Sequence, residues 1–220
     1  MVCELMENDK PLSSLVRANG NRLEDRLLRI EGNLPAALYE FERDESLPFG
    51  GRFLYLTPQW EALTGVPRAE ALADYGVALG LIHRDDIQRY LEADDTTSNH
   101  GITLRIKVRI WPRQGKMRWV EIVESPYMRT ADGLMVCNGL AIDITAEKEA
   151  QDRLVAMVQS LSERERQVFS GLGVGKTLKE IARALGVSPS SIKSHKLKIM
   201  RKLGAKKLSE VVLVYGVTAE

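Results

Sequence analysis

Between Thr177 and Pro189 the sequence TLKEIARALGVSP is punctuated so closely that it leaves room for little except two helices joined by a tight turn. The Thr177 hydroxyl can accept from an orphan backbone N–H. Glu180, three residues on, can return the bond, which makes a capping box and a helix start. Ile181, Ala184 and Leu185 then form the expected apolar face. Gly186 tolerates the left-handed backbone that ends a helix sharply, and Ser188 with Pro189 supplies the N-cap and first residue of the next. Two helices therefore meet across about three residues, the spacing of a helix-turn-helix. In the second, Ile192, Ile199 and Leu203 lie near one face with Leu197 and Met200 towards its flanks, while Lys193, Ser194, Lys196, Lys198 and Arg201 point elsewhere. From Gly186 to Lys207 there are seven Lys or Arg and no Asp or Glu. Such a surface suits double-stranded DNA, because cations set against phosphates release condensed counterions. A basic run alone more often marks a solvated helix face; the caps and the turn favour the DNA reading.

The stretch GVGKT at 173–177 imitates a phosphate-binding loop, but that loop needs a glycine where Ser170 stands. The preceding ERERQVFSGL reads as a helix opening at Ser162 with Glu165 as its box partner, not as the strand that feeds such a loop. Gly173 and Gly175 are read as ending one helix and spacing the next. No order of Ser, His and acidic residues suggests a nucleophile with its base, so no catalytic residues are assigned and the chain is not expected to be an enzyme.

A chain of 220 residues can hold two modest domains. Its formal charge of +1 conceals an asymmetry: residues 161–220 hold 12 basic and 5 acidic side chains, and residues 1–160 hold 19 and 25. A basic module is thus joined to an acidic one, as expected of a DNA-binding piece carried by a different piece. No run of about 18 apolar residues occurs, and MVCELMENDK is too acidic and polar for a signal peptide, so a cytoplasmic protein without membrane contact is expected. Two cysteines, Cys3 and Cys137, make no disulfide framework.

From residue 38 to 145 the pattern becomes strand-like. Residues 37–42 and 52–56 are short β-type runs around a Pro-Gly-Gly turn signal at 48–51, followed by helical pieces at 58–64 and 85–93. Residues 102–110 alternate cleanly, and two further strands are expected at 117–128 and 134–144. The expected fold class is α+β: a five-stranded antiparallel sheet with flanking helices, then an all-α four-helix domain. The expected division is a helical flank at 1–32, the sheet domain at 33–148, a helical linker at 145–160 and the DNA-binding domain at 161–220.

Two resemblances attach to these residues. LSERERQVF, KEIARALGVS and SIKSHKLKIMRKLG together resemble the LuxR/GerE-type helix-turn-helix of bacterial transcription regulators, over about a quarter of the chain. The resemblance implies that Lys193, Ser194 and Leu197 face bases in the major groove, while Ser190, Ser191, His195, Lys196 and Arg201 mostly meet the DNA backbone. Leu197 stands where a polar reader is often found, and Leu208 replaces an Arg common after the recognition helix, so the target sequence stays open. TPQWEALTG at 57–65, LIHRDD at 81–86, RWVE at 118–121 and GLAIDITAEKEA at 139–150 are similar in order and spacing to a PAS domain, over roughly residues 33–148.

In a PAS domain the residue two before the DIT triplet lines the ligand cavity, which selects Ala141 and, by alternation, Met135, Cys137 and Gly139. The small Gly139 and Ala141 leave space for a small apolar molecule, with Tyr55 and Trp60 as further contacts. The alternative is that Trp60, Tyr55 and their neighbours fill that space as plain core.

The cofactor is left unknown. LOV-type flavin chemistry needs a reactive Cys in an Asn-Cys-Arg-Phe-type helix, and no Cys lies between Cys3 and Cys137. Haem needs an axial ligand; of the two candidates, His83 sits in a turn that favours a capping role and His100 in a polar TTSNHG loop, which argues against it. Three scattered His and two Cys make no structural metal site. Leu12, Val16, Leu23, Leu27 and Ile30 before the sheet, and Ala150, Leu154, Met157 and Leu161 after it, recur at helical spacing. They are read either as helices packed on their own sheet or as dimer seams, and the second is favoured for one or both flanks because helix-turn-helix proteins usually bind paired half-sites as homodimers; the last helix around Val211, Val212 and Leu213 is another such surface in the resembled family. Two readings follow: a regulator whose PAS domain senses a small ligand, or one whose PAS domain only pairs with another protein. A phosphoacceptor receiver does not fit, because alternating parallel strands and helices are missing from the first half.

Overall fold

A strand in which Leu104, Ile106, Val108 and Ile110 alternate with Arg105, Lys107 and Arg109 must lie on a core with one face only. The computed structural model describes residues 32–218, apart from the side chains of residues 97–99. In it this run is a strand whose apolar set is buried while Arg105 and Lys107 are exposed. The chain divides into two compact units between Ile144 and Thr145. The helical periodicity expected before residue 32 lies outside the described residues.

The first unit is an antiparallel sheet of β1 (Ala36–Arg43), β2 (Gly51–Leu56), β3 (Leu104–Ile110), β4 (Arg118–Glu124), β5 (Met128–Arg129) and β6 (Met135–Asp143). The strands lie in the order β2-β1-β6-β4-β3, and the two-residue β5 also pairs with β6. The single strand expected at 117–128 is thus two. Pro126 cannot donate to the ladder, and Ser125 bridges the break: its N–H donates to the Asn138 carbonyl at 2.8 Å and its Oγ accepts from the Asn138 N–H at 3.0 Å.

The turn between β1 and β2 is a short 3-10 segment, Pro48–Gly50, with Phe49 itself left-handed at φ 59°. The register of this pair then shifts: Phe41 faces Phe53, but Glu40 faces Tyr55, so Leu54 is the extra residue of a bulge. The bulge puts Leu56, not Tyr55, on the inner face beside Tyr39.

Between β2 and β3 the chain makes α1 (Gln59–Thr64), α2 (Arg68–Ala73), α3 (Tyr75–Leu79) and α4 (Arg84–His100). Helix α4 runs seven residues beyond the expected end, so His100 closes a helix, still exposed, before the left-handed Gly101. Asp86 fixes this helix to the sheet: its carboxylate accepts from the Arg109 backbone N–H, Nε and Nη2, each at 2.8 Å. These bonds hold the Asp86 carboxyl well below its usual range despite its burial. The core between helices and sheet is aromatic, with Phe53 in edge contact with Tyr39, Phe41, Trp60 and Tyr75 at centroid distances of 5.2–5.7 Å.

The second unit is all helical: α5 (Thr145–Gln159), α6 (Glu163–Gly173), α7 (Leu178–Leu185), α8 (Pro189–Lys202) and α9 (Leu208–Thr218). Both expected capping boxes form, at Ser162 with Glu165 and at Thr177 with Glu180. Helix α7 ends on Gly186 at φ 65°, and Ser188 caps α8 by accepting from the Ser191 N–H. The core gathers Leu161, Val168, Phe169, Leu172, Ile181, Ile192, Ile199, Leu203 and Val211. On α7 it is Ala182 that is buried beside Ile181, while Ala184 is exposed; α7 meets both α6 and α8, and its buried stripe lies to the Ala182 side of Ile181 and Leu185. Gly173 does more than end α6, because an added Cβ would lie 2.1 Å from the Tyr215 ring. Of residues 145–160, expected as a helical linker, 145–159 form the helix α5, which packs on α9 and belongs to this unit. No helix among the described residues is long and apolar enough to cross a membrane.

Candidate nucleic-acid interface and internal cavity

Ile192 and Ile199 are fully buried and Leu203 nearly so, which fixes one side of α8 in the core of its unit. At 100° per residue the opposite side must carry Ser190, Lys193, Ser194, Leu197 and Arg201, and all five are exposed, Leu197 by 60%. Lys198 lies beside them and is exposed too. Ser191, His195 and Lys196 fall on the flanks and are half-buried, and the Nδ1 of His195 is sealed from solvent. Ser194 Oγ donates to the Ser190 carbonyl at 3.2 Å, which leaves its lone pairs outward. Among the described residues, Lys193, Lys196, Lys198 and Arg201 form no ion pair, so this face presents uncompensated positive charge.

Lys202 belongs to the same basic run but serves the fold. Its Nζ donates to Glu165 Oε2 at 2.7 Å and to the Ser160 carbonyl at 3.2 Å. Glu165 therefore closes the capping box of α6 and also ties it to the end of α8. The Lys202 ammonium and the Ser162 backbone N–H hold the Glu165 carboxyl down at about 2. Arg164 Nη2 donates to the Leu185 carbonyl at 2.8 Å, satisfying an orphan acceptor at the end of α7. Neither tie was assigned from the sequence. Glu165 was legible as a box partner of Ser162, but no local signal marks its second partner, Lys202, 37 residues on.

The first unit has a partly open cavity of about 60 Å³ between its helices and the inner face of the sheet. Of the residues named from the sequence, Trp60 and Ala141 line it. Cys137 is fully buried on the same face of β6, opposite Phe41, without bordering the space, and burial pushes its thiol up to about 12. Gly139 leaves no room for a ligand: an added Cβ would lie 2.2 Å from the Tyr39 ring, which occupies that space. Met135 is half-buried near the far end of the strand. Tyr55 is 43% exposed and leaves the cavity altogether, because the bulge at Leu54 inverts the alternation of β2.

Sequence reasoning passed over the polar part of this wall. Glu124 is buried at the end of β4, in phase with the inward Val120 and Ile122, and that charged residue in an apolar alternation was the available signal. Its Oε1 accepts from the Tyr39 hydroxyl at 2.5 Å and from the Tyr90 hydroxyl at 3.4 Å, and Tyr75 lies 3.2 Å from Tyr90. Oε2 has no partner among the described residues. Beside this chain, Tyr127 donates to Asp94 at 3.0 Å and Arg43 pairs with Asp94 at 3.3 Å. His83 accepts the Asp85 N–H on Nδ1 at 3.2 Å and stacks on Trp111, outside the cavity lining. No group of three or more His, Cys, Asp or Glu stands ready to hold a metal among the described residues.

The family model for bacterial regulatory proteins of the luxR family matches residues 159–215. Spore germination protein GerE of Bacillus subtilis is 40% identical over 67 residues, which are 30% of this chain and 84% of that protein. The chain belongs to the luxR family. Transcriptional regulatory protein FixJ of Bradyrhizobium diazoefficiens is 46% identical to this luxR-family chain over 67 residues, and that of Rhizobium meliloti 34% over 95. The chain spans 32% and 47% of the length of those two relatives. A model of the PAS fold matches residues 53–138, in agreement with the strand order of the first unit. Among solved structures, the N-terminal domain of a diguanylate cyclase with PAS/PAC sensor from Marinobacter aquaeolei is 22% identical, over 51% of this chain and 98% of that one, with a TM-score of 0.44.

Proposed function

We propose that this luxR-family chain is a transcription regulator that binds double-stranded DNA through α8 and is controlled through its PAS unit. The observation that carries the reading is the outward face of α8, where cations without carboxylate partners surround Ser194 and Leu197 on a helix locked from behind. Lys193, Ser194 and Leu197 meet base edges, and the Leu197 side chain suits a thymine methyl. Ser190, Ser191, His195, Lys196 and Arg201 meet the phosphate backbone, and Lys202 stays with Glu165. Exposed apolar residues on α9, Val212, Leu213 and Val217, together with Met157 on α5, support pairing of two copies through these helices. The cavity between helices and sheet supports a sensing role for the PAS unit over pairing alone.

Titration of the full chain onto an operator selected from a random duplex pool, at several salt concentrations, tests the reading. Affinity falls steeply with salt. Lys193→Ala costs about 1–3 kcal/mol and relaxes sequence preference, whereas Arg201→Ala weakens all sequences alike and lowers the salt slope by about 1. Unchanged operator binding in both variants at moderate salt would remove the assignment of α8.

A further inference from the structure

Glu124 carries more acceptor capacity than its neighbours use. Tyr39 and Tyr90 both donate to Oε1, while Oε2 is sealed from solvent and has no partner among the described residues. A buried carboxylate oxygen without a donor is costly, and a retained one needs a reason. The indole Nε1–H of Trp60 is likewise buried without a partner among the described residues. Both residues line the same cavity.

The rest of the lining sets the chemistry. Among the described residues no Lys, Arg or His borders the cavity, so an anion would meet a carboxyl group with nothing to balance it. Aromatic rings supply most of the wall near Glu124, and their negative faces attract a cation, most strongly where water is excluded. The Glu124 carboxyl is already out of water, so an incoming cation takes the place of the proton that burial keeps there, and only the cation itself has still to be desolvated. Volume limits size: an apolar cavity of about 150 Å³ admits benzene, so about 60 Å³ excludes flavin, haem and other ring systems from this conformation.

We propose that the PAS cavity takes a short alkylammonium ion of up to about four non-hydrogen atoms, paired with Glu124 and enclosed by the rings of Tyr39, Trp60, Tyr75 and Tyr90. The inference rests on the sensor reading of the first unit and is independent of DNA binding by the second. A cation that bridges β4 to α1, α3 and α4 through these side chains ties the sheet to the helices above it. Such a bridge is a direct way for a small molecule to stiffen the unit.

The test uses the full chain labelled with ¹⁵N, and the indole resonance of Trp60, assigned by its loss in Trp60→Phe. Ethylammonium chloride is titrated against ethanol and sodium acetate as neutral and anionic counterparts of similar size. Ethylammonium shifts the Trp60 indole signal saturably, acetate does not, ethanol binds at least about tenfold more weakly, and Glu124→Gln loses about tenfold or more of the ethylammonium affinity. Equal binding of ethanol or acetate overturns the proposal, as does a saturable response confined to residues outside the cavity, or no saturable response at all. The ranking of the three probes on the parent protein decides the matter even if Glu124→Gln fails to fold. Operator binding measured on the same sample separates failure of this inference from failure of the DNA-binding reading.

Discussion

Glu124 ends β4 where a further apolar residue would have continued the inward set of Val120 and Ile122. Burial pushes its carboxyl up to about 7; the Tyr39 and Tyr90 hydroxyls oppose this and the Asp94 carboxylate adds to it. The other titratable groups around it are Tyr75, Tyr127 and Cys137, all held neutral by burial, and Asp94 is balanced by Arg43. The folded state therefore holds a proton that the unfolded chain releases near 4.5. The contribution of Glu124 to stability is complete below that point and is lost as the pH rises through about 7. The loss is on the order of 3 kcal/mol. Urea denaturation at pH 5 and pH 8 checks this: the parent loses stability between the two, and Glu124→Gln flattens that part of the profile. A parent profile that is flat, or that rises, contradicts it. Gly139 shows the limit of reading single residues. Its smallness was legible and suggested space, but what enters that space is Tyr39 from the neighbouring strand, which no property of β6 announces.

At the scale of elements, the helix-turn-helix was legible because its signals are local. Each cap bonds to a group three residues away, and Gly186 needs only its own backbone to stop α7. Thr177→Ala removes the acceptor for the Glu180 N–H and one half of the box. It lowers stability by about 1 kcal/mol, read as a drop in the thermal midpoint of the full chain, with operator contacts retained. Midpoints equal within error would show that Glu180 alone holds the helix start. The β-bulge at Leu54 was not legible, since it depends on how β1 and β2 settle on one core, and it moved Tyr55 from the expected cavity to the outer face. The break at Pro126 lies between these cases: proline forbids a central ladder bond, but the bridging role of Ser125 depends on Asn138 across the sheet.

At the scale of the whole molecule, the charge asymmetry persists when the chain is divided at the boundary of the two compact units: residues 145–220 hold 14 basic and 8 acidic side chains and residues 1–144 hold 17 and 22, so it is an asymmetry of modules. Leu213 is 68% exposed on α9, beside the exposed Val212 and Val217, an arrangement that a single copy leaves in water. Light scattering on the full chain is expected to give a dimer, and Leu213→Asp to shift it to monomer while weakening operator binding through the lost second half-site. A Leu213→Asp variant that remains dimeric would move the interface elsewhere. The sequence by itself determined what short-range chemistry determines: helix starts and stops, strand alternation, the order of two families of motif, and the cationic face of α8. Only the tertiary structure decided which cations are free and which, like Lys202, are tied. It alone showed that a tyrosine fills the hollow above Gly139, and that a carboxylate from β4 meets hydroxyls from β1 and α4 around a small cavity. These last depend on side chains up to 85 residues apart, brought together by packing that local periodicity does not encode.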